Sequence, residues 1–164
     1  MANYVPSGIS KIDRTQFVTY LNTGTSAEPT WKVLGVGITE YGIDYNPQVD
    51  TEKWIIEDSA RNDHTSNQKQ ASVTQKCYKG DPVFEFINEG RDKLNYKAQV
   101  LDIDRWNGSG SSYPAKVNDV IITVTSYMGE NAEIEYDMYY DGDPIEGTVT
   151  FSGTVPTFTA TASL

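Results

Sequence analysis

Cysteine and histidine are almost missing from this chain: Cys77 and His64 stand alone among 164 residues. One cysteine excludes an internal disulfide, and the pair supplies no metal-binding cluster. Leucine is scarce while tyrosine reaches 11, a balance that favours strands over helices. Positive charge is also short, with 13 Lys and Arg against 23 Asp and Glu and a formal net charge of −10. A surface of that sign repels phosphate, which excludes a grip on DNA or on an anionic membrane. A role beside DNA survives, because a wall past which DNA must slide needs this sign. No long apolar run occurs, the opening MANYVPSGISKIDRTQ included. Neither a signal peptide nor a membrane span is therefore expected, and the expected place of folding is a cytoplasm.

What is present suits one globular domain spanning 1–164, with 38% hydrophobic and 12% aromatic residues. A chain of this length buries roughly 70% of its unfolded surface. Strands are expected at FVTYL (17–21), WKVLGVGI (31–38), EYGIDYN (40–46), EKWIIE (52–57), ASVTQKCY (71–78), YKAQVLDID (96–104) and VNDVIITVTSYM (117–128). In AEIEYDMYYDGDP, Ile134, Tyr136, Met138 and Tyr140 alternate with Glu133, Glu135, Asp137 and Tyr139. Asp141-Gly142 then reads as a tight turn, and EGTVTFSG as the returning strand of a hairpin. Residues 1–15 read as an N-terminal arm, and 155–164 as a last strand or tail.

One helix is expected, over about 82–94. Asp81 suits its N-cap and Pro82 its first position, where no donor is needed. Val83, Ile87 and Leu94 form its apolar stripe, widened by Phe84 and Phe86. Gly90 weakens it by about 1 kcal/mol relative to alanine. A solitary amphipathic helix covers one face of a sheet.

The polar stretch EDSARNDHTSNQKQ, Glu57 to Gln70, holds His64 between two strand-like runs. Catalysis there would need a partner for the imidazole, and Cys77 on its alternating strand reads as an inert, buried thiol. Asp102 and Asp104 in DIDRWNG miss the calcium-loop frame, since asparagine and glycine fall one place late. Asp141 and Asp143 read as turn residues, and GSGSS (108–112) lacks the lysine of a phosphate loop. Trp31, Trp54 and Trp106 read as core, or else as a sugar-stacking platform. No catalytic constellation, metal site or cofactor site emerges, and none is expected.

Three segments in order carry a resemblance: YKGDPVFEFINEGRDKL, then YPAKVNDVIITVTSYMGE, then EIEYDMYYDGDPIEGTVTF. Together they resemble the major tail (tail tube) proteins of long-tailed, siphovirus-type bacteriophages, from about Trp31 to about Phe158. The resemblance implies a β-sandwich or barrel of two roughly orthogonal antiparallel sheets flanked by one α-helix. It implies six copies per ring, rings stacked into a hollow tube, and genome DNA passing through without specific binding. It further implies a virion location after assembly in the bacterial host, with tape measure, tail terminator and distal tail proteins as partners and no membrane. In that plan 57–70 takes the place of an extended assembly loop gripping a neighbour, with Asp58, Arg61, Asn62, Asp63, His64, Asn67 and Lys69 as its contact residues. Glu133, Glu135 and Asp137 are candidates for an acidic lumen face. A ring of six would carry about −60, against about 24 phosphates on DNA in a bore roughly 40 Å tall. A tube protein of a phage-like particle or secretion system shares the same plan. A carbohydrate-binding β-sandwich using the aromatic residues is the alternative of a different class.

Overall fold

A computed structural model describes residues 6–162. The first five residues of the expected N-terminal arm and the last two of the expected tail lie outside the described residues. In chain order the elements are β1 (Phe17–Asn22), β2 (Trp31–Val33), β3 (Pro47–Glu52), β4 (Arg61–Asn67), β5 (Gln70–Lys76), α1 (Pro82–Glu89), β6 (Tyr96–Asp104), β7 (Ser112–Tyr127), β8 (Glu133–Ser152) and β9 (Val155–Ala160). Seven strands make one antiparallel sheet in the order β2-β1-β6-β7-β8-β5, with β9 also on β8; β3 and β4 pair only with each other. The chain is thus mainly β, sandwich- or barrel-like and flanked by one helix, as expected.

The sheet carries a core on each face. Successive side chains on a strand point to opposite faces, and on β6 Val100 joins one cluster while Leu101 and Ile103 join the other. The first cluster lies under α1 and gathers Val83, Phe84 and Ile87 with Val73, Val120, Tyr136 and Met138. The second gathers Leu101, Ile103, Ala115, Val117 and Val149. Trp31 from the β2 edge and Phe158 from the β9 edge both pack on it. This part of the sheet therefore curls until its two edges approach across one cluster.

β8 runs 20 residues without the expected turn at Asp141-Gly142. Asp119 of β7 pairs with Asp141, and Val117 with Ile145. Four steps on β8 thus face two on β7, and Gly142, Asp143 and Pro144 form a bulge. Gly142 sits at φ +75, a left-handed conformation that suits glycine, and proline is tolerated in a strand at a bulge. The real reversal comes at Gly153, φ +63, between Ser152 and Val155. The expected returning strand EGTVTFSG is therefore the far half of β8, and β9 is the strand that returns.

Helix α1 starts as expected and stops early. Asp81 Oδ1 accepts from the Val83 N–H at 3.1 Å, while its Oδ2 accepts from Gln75 Nε2 at 2.7 Å. Gln75 in turn accepts from the buried Tyr136 hydroxyl at 3.0 Å, so β8, β5 and the helix cap share one buried chain of bonds. At the other end, Tyr96 stacks on Phe86 and donates to the Phe86 carbonyl at 3.1 Å. A Cβ at Gly90 would land inside that Tyr96 ring. The helix ends there, so Leu94 lies beyond it and is 94% exposed, contrary to its expected place on the sheet. Val83, Phe84 and Ile87 are buried, and Phe86 is half-buried beside them.

WKVLGVGI keeps only Trp31–Val33 as strand. Gly37, at φ +75, packs against the Lys76 backbone and accepts its N–H, so the run after Val33 is a loop lying on β5. EYGIDYN makes a single bridge, Asp44 to Gln70. β6 matches the expected Tyr96 to Asp104.

Asp81→Ala removes both a cap and the acceptor of a buried amide, and should lower unfolding stability by about 2 kcal/mol or more. Leu94→Ala should change it by less than about 0.5 kcal/mol. Denaturant melts of both variants measure the contrast.

Candidate functional site

The stretch 57–70 is not a loop. Its centre is β4, which pairs with β3 from Pro47↔Asn67 to Glu52↔Arg61, with a shift between Gln48 and Val49. Every residue of both strands is exposed. They form a hairpin arm whose root is closed by the Asp44–Gln70 bridge and by the Gln68 N–H on the Tyr45 carbonyl at 3.0 Å. PQVDTE and RNDHTSN are polar without period-two alternation, since neither face of the arm is buried. EKWIIE was expected as a strand; after Glu52 it is the tip.

The proposed contact residues fall along this arm. Arg61, Asn62, Asp63, His64 and Asn67 lie on β4, Asp58 lies beyond the tip turn, and Lys69 sits at the root. Thr51 donates to Asn62 Oδ1 at 2.8 Å across the strands. His64 Nε2 bonds Asn67 Oδ1 at 2.8 Å, so the imidazole is engaged within the arm. Asp63 faces Asp50 directly, a like-charge pair that weakens the ladder. At the tip, the Arg61 guanidinium lies 4.1 Å from the Trp54 ring centroid and pairs with Glu57, while the Trp54 indole donates to Glu52. Cys77 lies just past β5, half-buried; burial and then the nearby Glu133 push its thiol pKa up.

The root is tied to a buried carboxyl that sequence reasoning set aside. Lys69 lies 5.2 Å from the Tyr140 ring centroid, and the Tyr140 N–H donates to the Lys69 carbonyl at 3.0 Å. The Tyr140 hydroxyl donates to Asp102 Oδ2 at 3.2 Å, joined by Asn118 Nδ2 at 3.2 Å. Thr19 donates to Asp102 Oδ1 at 2.7 Å. Burial raises the Asp102 pKa to about 6, against the bonds from Thr19 and Tyr140 and the charge of Lys69. The only hint was an aspartate between Leu101 and Ile103 in a strand.

Glu133, Glu135 and Asp137 occupy one face of β8, turned away from the helix-covered core. Across the strands they meet Lys76, Thr74 and Ser72 of β5, and Ser72 donates to Asp137 at 2.7 Å. The face extends further than expected: Asp141, expected in a turn, stays in strand and lies opposite Asp119 of β7. Asp119 accepts from Gln99 at 3.1 Å. These five carboxylates share the face with Lys76 and Lys97. Trp31, Trp54 and Trp106 sit on β2, on the arm tip and on the 3-10 turn Arg105–Asn107, so they do not assemble one stacking platform.

No protein-family model matches the chain, and no curated protein matches it. Among the described residues, no helix is long and apolar enough to cross a membrane.

The unfolded aspartate ionises near 4 and the folded Asp102 near 6, so the folded state holds its proton across that interval. The Asp102 contribution to stability is therefore present below about pH 4 and lost as pH rises through 6, by on the order of 2–3 kcal/mol. Asp102→Asn should gain stability relative to the native chain from pH 4 to 6, with the gap level above. Denaturant melts across that range measure it.

Proposed function

We propose that this chain is a self-assembling tube subunit of the phage tail tube class, its copies joining into rings that stack around a DNA passage. The observation that carries the reading is the arm. Two strands and the Ile55–Ile56 turn centre stand exposed, and an isolated two-stranded hairpin is at best marginal in water. Its tip shows Ile55 at 102% and Ile56 at 84% exposure. Such a segment gains its order and covers its apolar tip by docking on another molecule. A second copy satisfies this repeatedly, because arm and receptor are different surfaces of one chain and head-to-tail contacts propagate.

The acidic face supports the passage. Five carboxylates on a solvent-facing strand surface repel a polyanion rather than bind it. Residues 6–15 are exposed throughout and offer a second reach toward a neighbour. The wider assembly follows from the resemblance: tape measure, terminator and distal tail proteins as partners, and a virion tail as the location. A phage-like particle or secretion tube meets the same physical description.

Purified protein, raised in concentration and viewed by negative-stain microscopy, should form hollow rods of uniform width. Replacing Pro47–Asn67 with a short turn should leave the melting temperature within a few degrees and abolish rods. Rods from the armless chain, or a chain that stays solitary at millimolar concentration, would overturn the reading. Reversing Glu133, Glu135 and Asp137 to lysine together should yield rods that retain duplex DNA in filter binding at low salt and release it as salt rises.

A further inference from the structure

The arm tip spends its turn on the wrong residues for a turn. The Glu57 N–H donates to the Trp54 carbonyl at 3.0 Å, which makes Ile55 and Ile56 the two central residues. Those positions favour glycine, asparagine, aspartate or proline, and nothing in closing the arm calls for two adjacent β-branched side chains. The flanks are meanwhile held: Arg61 stacks on Trp54 and pairs with Glu57, and Trp54 donates to Glu52. The tip thus presents an uncharged isoleucine pair on an ordered base, as a binding anchor does.

A cavity of matching character lies on the body. Where the β2 and β9 edges approach, a groove of about 510 Å³ runs between Pro29 and Trp31 on one side and Ile145, Val155 and Phe158 on the other. Ile145 and Val155 form its rim, 52% and 61% exposed. Among the described residues no charged side chain lines it. The depressions beside Asp119 and Asp141, beside Glu40 and Asp44, and beside Arg14 are all charged.

We infer that the groove between β2 and β9 is the receptor for the Ile55–Ile56 tip of a second copy of this chain. The occupant follows from charge. Copies that each carry −10 repel one another, so their contact is best made where neither surface adds charge: no charged side chain lines the groove, and the exposed isoleucine pair is uncharged beside Arg61 and Glu57, which pair with each other. Filling the groove also caps the seam where the curled sheet fails to close. The inference rests on the assembly reading and names the surface that reading leaves open.

The test uses the full chain with Cys77→Ser. An Ile55→Cys protein and a Val155→Cys protein are mixed at rod-forming concentration and oxidised, with Lys116→Cys in place of Val155→Cys as the control. The expected result is a disulfide-linked dimer from the first mixture in several-fold excess over the control. Separately, Ile55→Ser with Ile56→Ser should raise the concentration needed for rods by about tenfold or more without shifting the melt. Rods that form without the Ile55–Val155 link would overturn the groove and leave the tube reading standing. Absence of any association would overturn both.

Discussion

β7 and β8 pair from Ser112↔Thr150 to Tyr127↔Ile134, and the other features hang from that ladder. One end of β8 holds β5 and, through Tyr136, Gln75 and Asp81, the helix start; the other end holds β9. A ladder this long twists. The bulge at Gly142–Pro144 adds a local bend, so one pair of strands serves two cores on opposite faces. The acidic face and the charge-free groove are neighbours along one surface because the bulge divides β8 between them.

Against that body the arm is a different kind of structure. The body is held by burial on both faces of its sheet, whereas the arm is held by strand bonds, the Arg61–Trp54 stack and its closed root. The root is where the two meet: Lys69 is fixed by its own carbonyl on the Tyr140 backbone, and Tyr140 reaches the buried Asp102. An arm with so little of its own core is suited to adapt on docking, which is the physical content of the proposed assembly role.

The body was legible in sequence where burial was one-sided. β6 read true along its length, and Asp81-Pro82 marked the helix start by cap chemistry. What failed was inference from apolar runs that the chain itself leaves uncovered. Trp54, Ile55 and Ile56 look like a core strand because periodicity assumes that the same molecule covers them. Asp141-Gly142 misled for another reason: glycine beside aspartate serves a turn and a bulge equally, and only the pairing partner decides between them. The helix end was hidden because it is set by Tyr96, which arrives from six residues further on to occupy the space beside Gly90. The arm strands themselves carry no alternation to read. The residues expected as contacts on 57–70 lie along the arm and at its root, and the segment is a paired strand where a loop was expected.

The opposed carboxylates of Asp50 and Asp63 bear on when copies join. Inside a strand pair they loosen the ladder most when dilute electrolyte leaves them unscreened. Dissolved ions thus act twice, stiffening the arm and quieting the repulsion between approaching bodies. In the proposed tube, that makes the ionic medium a clock: newly made chains stay apart in dilute electrolyte and join as screening grows.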